Sequence, residues 1–104
     1  MIKLSVVLAT FNEEKNLPEC LDSVGNLADE IIVVDGSSTD KTVEIAKKYK
    51  AKVILADNPP NFHINKQKAI DLATKDWILQ LDADERVSKE LAQEIKAKIK
   101  NATD

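Results

Sequence analysis

The chain is poor in the features that most often announce a function. It has one cysteine, Cys20, in 104 residues, which excludes an internal disulfide and a cysteine-rich zinc site and fits a reducing compartment. Its simplest place is a small, half-buried helix position. The one histidine, His63, has no second histidine for a zinc cluster and reads as a loop or helix-start residue. Cys20 and His63 would form a nucleophilic pair only if the fold joined them, and nothing in the sequence asks for that. The longest apolar runs, Val6-Val7-Leu8-Ala9 and Ile31-Ile32-Val33-Val34, fall far short of the ~20 residues of a membrane span, and the stretch after Lys3 is too short for a signal peptide. A cytoplasmic protein is expected. A basic excess is missing too. Fifteen Lys+Arg against eighteen Asp+Glu leave a net charge of -3, so no positive field awaits nucleic acid or an anionic membrane. Neither Gly-x-Gly-x-x-Gly nor Gly-x-x-x-x-Gly-Lys-Ser/Thr occurs, which argues against dinucleotide enzymes and P-loop NTPases.

Only two glycines and three prolines punctuate the chain, so the expected plan is alternating elements with short connections. Four strands are predicted: the β-branched run Lys3 to Ala9, then Ile31 to Val34, Val53 to Leu55 and Trp77 to Leu81. A helix is expected from about Glu13 to Val24, capped by Asn12 and stopped by Gly25, with its start displaced toward Pro18 if the first turns are irregular. A second helix carries Val43, Ile45, Ala46 and Tyr49 on one side, and a third carries Ile64, Ala69, Ile70, Leu72 and Ala73. Asn58-Pro59-Pro60-Asn61 between them can be neither helix nor ladder. Ser88 caps a last helix with Leu91, Ile95 and Ile99 inward. This order predicts one α/β domain over residues 1–104: a Rossmann-like three-layer α/β/α fold with a parallel sheet of about four strands.

In such sheets ligands bind beyond the carboxyl ends of the strands, so function is sought in the residues that follow them. Thr10-Phe11-Asn12-Glu13 follow the first strand, Asp35-Gly36-Ser37-Ser38 the second and Asp82-Ala83-Asp84-Glu85 the fourth. A carboxylate at a buried strand end is costly unless bonded, paired or coordinating a cation. In an extended segment Asp82 and Asp84 would point the same way, which suits Mg²⁺ or Mn²⁺ completed by water and phosphate oxygens. Asp-x-Asp also arises by chance in a chain this rich in aspartate, and as loop or helix-capping residues the pair needs no ligand.

Leu4 to Glu14, Glu30 to Thr42 and Trp77 to Glu85, in that order and spacing, resemble family 2 glycosyltransferases of the GT-A fold over nearly the whole chain, with Asp-Ala-Asp-Glu similar to the lipopolysaccharide-core β-glucosyltransferase branch. The resemblance implies inverting transfer from a nucleotide diphosphate sugar, most often a UDP-sugar, to a glycan or lipid-linked acceptor, with Mn²⁺ or Mg²⁺ as cofactor. It implies that Thr10, Phe11 and Glu13 wall the nucleotide pocket, that Asp35 bonds the pyrimidine, that Asp82 lies near ribose and metal, and that Asp84 ligates the metal. Lys66 and Gln67 stand where the family commonly has Arg and Asn; Lys keeps the charge near the nucleotide but loses the planar fork.

The family's general base lies well downstream of Asp-x-Asp, so the resemblance implies that this base falls beyond Asp104. It implies a donor half without its acceptor half, working in the cytoplasm, at the membrane face where the acceptor is lipid-linked. Self-association through the exposed edge of the fourth strand is then expected. Two other readings share these residues: a non-catalytic nucleotide-sugar binding module, and a phosphotransfer or haloacid-dehalogenase-like hydrolase. The latter normally places Asp-x-Asp after its first strand.

Overall fold

The computed structural model of the protein describes residues 3–58 and 63–102. Its elements run β1 (Leu4–Thr10), α1 (Leu17–Val24), β2 (Glu30–Asp35), α2 (Thr42–Lys48), β3 (Lys52–Leu55), α3 (His63–Leu72), β4 (Trp77–Leu81) and α4 (Lys89–Asn101). All strands are parallel, in the order β3-β2-β1-β4. Every residue of β1 is buried. Its side chains alternate between two cores: Leu4, Val6 and Leu8 join Leu17, Leu21 and Val24 of α1, while Val7 joins Ile32, Val34 and Ala69 of α3 on the other face. The three-layer arrangement read from the sequence is the one observed. An eight-residue helix such as α1 is marginal alone, so its fully buried Leu17, Cys20, Leu21 and Val24 hold it in place.

After β3 the chain crosses to the opposite side of β1 to form β4. That reversal opens a crevice at the carboxyl ends of β1 and β4. Leu8 pairs with Leu81 and Thr10 with Asp35, so β4 stops two residues short of β1 and Asp82 leaves the sheet level with Ala9.

Several local expectations are corrected. The first helix begins at Leu17, with Pro18 in its first turn where the missing N–H costs nothing. Asn12 caps no helix: it has φ 51° and its Oδ1 accepts from Thr39 N at 2.8 Å. Gly25 ends α1 in right-handed geometry, φ -56°, so its left-handed freedom is unused. Ile64 and Leu72 are exposed, leaving Ala69, Ile70 and Ala73 to pack against the sheet. In α4 Ser88 caps as expected, accepting from Leu91 N at 3.1 Å, and Ile95 and Ile99 pack against the core with Ala92, while Leu91 stays 42% exposed in a groove with Leu4, Trp77, Ile78 and Leu79. Of the stretch 58–61, expected to be neither helix nor ladder, only Asn58 lies within the described residues. Asp104, beyond which the catalytic base is expected, also lies outside them, so the position of that base stays an expectation of the resemblance. Among the described residues no helix is long and apolar enough to cross a membrane.

At the amino edge Glu30 ties three strands and a loop together. Its carboxylate accepts from Ser5 Oγ at 2.6 Å, Thr74 N at 3.0 Å and Thr74 Oγ1 at 2.9 Å, with Lys52 Nζ 3.6 Å away. Burial alone would raise its pKa, but these bonds outweigh it and hold the carboxyl down at about 2. Because the folded value lies below the ordinary one of 4.5, the stabilisation is fully present above that pH and is lost as the pH falls toward about 2. Glu30→Gln is expected to cost about 2 kcal/mol at pH 7, as for hydrogen bonds to a charged group. Urea unfolding of both proteins from pH 7 downward should show that gap closing through the same window.

Candidate functional site

Asp35 is the last residue of β2 and has no exposed surface. Its Oδ1 accepts from Thr10 Oγ1 and from Ser38 Oγ, each at 2.7 Å, and its Oδ2 accepts from Ser38 N at 2.8 Å. The backbone reinforces the junction, since Gly36 N donates to Thr10 O at 2.8 Å. The loops after β1 and β2 then interlock: Asn12 N donates to Ser38 Oγ at 2.8 Å, Glu13 N to Thr42 Oγ1 at 2.8 Å and Glu14 N to Asp40 Oδ2 at 3.2 Å. Asp40 also accepts from Thr42, and together these bonds lower its pKa against the opposing effect of burial. Ser37 adopts φ 65°, a strained value for a side-chain-bearing residue, and its hydroxyl donates to Ala56 O at 2.7 Å. The network holds it there.

Gly36 permits a close approach from α3. A Cβ on it would sit 3.3 Å from both Asn58 Oδ1 and Asn65 Nδ2. Asn65, buried in the first turn of α3, donates from Nδ2 to Asp57 O at 2.9 Å, while its buried Oδ1 has no hydrogen-bond partner among the described residues. One residue on, Lys66 Nζ lies 2.9 Å from Asp82 Oδ1. The first turn of α3 therefore touches the loop after β3 and the loop after β4.

Beyond β4 the chain does not stay extended. Glu85 N donates to Asp82 O at 2.9 Å and Glu85 Oε1 accepts from Asp82 N at 2.7 Å, closing a turn. Arg86 Nη1 donates to Ala83 O and Glu85 O, each at 2.9 Å. The alternation expected to aim Asp82 and Asp84 in one direction does not apply to a turn; Asp82 is half-buried and Asp84 exposed. The Lys66 ammonium holds the Asp82 carboxyl below the usual carboxylate range, with Gln80 Nε2 adding a bond of 3.3 Å against partial burial. Two hard carboxylates two residues apart fit a cation such as Mg²⁺ or Mn²⁺ that keeps water and phosphate oxygens in its shell. Among the described residues, no group of three or more His, Cys, Asp or Glu is placed to hold a metal ion.

Thr10, Asp35, Lys66, Asp82 and Asp84 thus share the carboxyl edge, with β1 between the ends of β2 and β4, so Asp35 and Asp82 stand about 10 Å apart by strand spacing. Phe11 is 38% exposed beside them, and Glu13 is half-buried with Oε1 accepting from Asn16 Nδ2 at 3.4 Å. Gln67 turns away, bonding Asp71 Oδ1 at 2.9 Å along the helix surface. Cys20 and His63 do not meet. The thiol lies in the core on the α1 side, donates to Asp82 O at 3.7 Å and is pushed up to about 11 by burial. His63 opens α3 across the sheet. Sequence reasoning missed Gln80, Asn65 and the Glu85 and Arg86 bonds that shape the turn. The available signal was a polar Gln80 inside an otherwise apolar strand.

A family model described as "Glycosyl transferase family 2" matches residues 5–104. A Rickettsia typhi protein named as an uncharacterized glycosyltransferase is 44% identical over 96 residues, covering 91% of this chain and 32% of that protein. Glycosyltransferase SunS of Bacillus subtilis is 40% identical over 85 residues, covering 80% and 20%. The crystal structure of S. aureus TarS with UDP superposes with a TM-score of 0.75 at 29% identity, over 95% of this chain and 32% of that one. Glucosyl-3-phosphoglycerate synthase of Mycobacterium tuberculosis, with Mn²⁺, UDP and glucosyl-3-phosphoglycerate, gives 0.69 at 25% identity, over 82% and 36%. The chain spans about a third of the length of the Rickettsia relative.

Replacing Asp35 with Ala removes the acceptor for three buried or half-buried donors. A loss of about 3 kcal/mol in urea unfolding is expected, together with faster amide exchange at Ser38 and Thr39.

Proposed function

The chain belongs to glycosyl transferase family 2, and on that footing we propose that it is the donor half of a longer enzyme that transfers a sugar, with inversion, from a nucleotide diphosphate sugar to a glycan or lipid-linked acceptor. The observation that carries this reading is the shared carboxyl edge: the interlocked loops after β1 and β2 stand on one side of the β1/β4 crevice and the Lys66–Asp82 pair on the other. The presence of UDP in the TarS and synthase structures supports uracil as the base.

Each part has a task. Phe11, partly exposed on the loop after β1, offers a face for a base. Asp35 and Thr10 set the floor of the pocket, and Glu13 stiffens its wall through Thr42. Lys66 brings positive charge to the diphosphate. Asp84, with Asp82, would hold Mn²⁺ or Mg²⁺, whose chemistry when bound is to neutralise the charge that builds on the leaving diphosphate. Proton removal from the acceptor hydroxyl falls to a base beyond Asp104, in the part of the enzyme that these residues do not supply. The single buried thiol, Cys20, supports a cytoplasmic setting, at the membrane face where the acceptor is lipid-linked.

Calorimetry of the chain with UDP or UDP-sugars in Mn²⁺ should show binding that Asp84→Ala abolishes. Binding indifferent to the metal, or no binding at all, would count against the reading.

The free edge of β4 also carries Trp77 and Ile78, 38% and 46% exposed, which supports self-association of the chain in isolation. Sedimentation should show an average mass rising with concentration, and Ile78→Lys should suppress the rise.

A further inference from the structure

Lys66 occupies a place that the cation and the nucleotide of the proposed function both need. Its Nζ sits 2.9 Å from Asp82 Oδ1, with the Lys66 side chain 20% and the Asp82 side chain 45% exposed. Gln80 Nε2 donates to the same oxygen at 3.3 Å. A carboxylate oxygen offers about two acceptor directions, so Oδ1 is fully engaged by protein donors. A divalent cation bonds carboxylate oxygens at about 2.1 Å. On Asp82 Oδ1 it would therefore stand within about 5 Å of the ammonium.

We propose that Lys66 is an internal counterion of Asp82 that discourages a divalent cation from settling there alone and moves to the phosphates when a nucleoside diphosphate arrives, so that cation and nucleotide enter the site together. The inference rests on the nucleotide-sugar reading above and assigns a positioning role to one residue within it. A single and a double positive charge about 5 Å apart, in water-like surroundings and at physiological salt, weaken cation binding about fivefold. The diphosphate carries more negative charge than the Asp82 carboxylate, so it draws the ammonium away and returns Oδ1 to the cation. By reciprocity, whatever the nucleotide adds to cation affinity the cation adds to nucleotide affinity.

The identity of the side chain matters to this exchange. Lysine is a compact charge on a flexible four-carbon stem and can leave one anion for another. The anchoring point does not move with it, because Asn65 beside it is buried and bonded to Asp57 O. The turn that presents Asp82 is likewise fixed independently of Lys66, through Glu85 and Arg86. Removing the Lys66 charge therefore leaves the carboxylate in place and changes what it can accept.

The test measures free Mn²⁺ by electron paramagnetic resonance for the wild-type chain and for Lys66→Met, Lys66→Gln and Lys66→Arg, each with and without UDP. Both neutral variants are long and helix-compatible, and thermal unfolding checks that each remains folded. Without UDP, the neutral variants should bind Mn²⁺ about fivefold more tightly than wild type, while Lys66→Arg, which keeps the charge, should not. The tightening of Mn²⁺ binding by UDP should shrink in the neutral variants by the same factor. If UDP and Mn²⁺ bind the wild-type chain but the folded neutral variants show unchanged or weaker Mn²⁺ affinity without UDP, the role of Lys66 is overturned and the proposed function survives. If no protein in the series binds UDP or Mn²⁺, the proposed function itself falls, and this inference with it.

Discussion

The carboxylate of Asp35 is the point on which the carboxyl edge depends. A charged group with no exposed surface is tolerable only when its lone pairs are engaged, and here two hydroxyls and a backbone N–H engage them. Those donors come from different places, Thr10 at the end of β1 and Ser38 beyond β2. Satisfying one carboxylate thereby fixes the positions of two loops. The left-handed residues Asn12 and Ser37 persist because this network over-determines them.

A second layer of constraint is built from α3. Its first turn presents Asn65 toward Gly36 and Lys66 toward Asp82, so one helical turn relates the end of β2 to the end of β4. A Cβ at Gly36 would press on the Asn65 amide at 3.3 Å, so the glycine eases the close approach of α3. The Asp82 turn is held on its other side by Cys20, Glu85 and Arg86. Asp84 has no such duties and stays exposed, as suits a ligand for a cation that arrives with its own water and phosphate oxygens. The acidic groups of the edge thus differ in freedom: Asp35 is locked, Asp82 is shared and Asp84 is open.

The fold was largely legible because hydrophobic alternation and helical spacing are local signals. β1 and β2 read as buried strands from their β-branched runs, and the polar residues after them marked the edge where a ligand would bind. The finer expectations failed where a local rule met a distant partner. Asn12 has the chemistry of a helix cap, yet its side chain was claimed by Thr39 in another loop. Leu91 has the spacing of a core position in α4, yet it stays 42% exposed in an open groove with Trp77, Ile78 and Leu79, because β4 is the edge strand of the sheet. Asp82 and Asp84 obey a period of two in sequence, which lost its meaning once Glu85 closed a turn.

The sequence by itself determined the four strands, the parallel α/β class, the family and the residues at each strand end, since these depend on composition and spacing within short windows. Tertiary structure alone decided how those ends are used. It placed β4 beside β1 and so opened the crevice, it set Thr10 on Asp35, and it put Lys66 on Asp82. The physical reason is that each of these contacts joins residues far apart along the chain, whose meeting depends on how the sheet is ordered and where α3 crosses it, and neither is written in the local pattern.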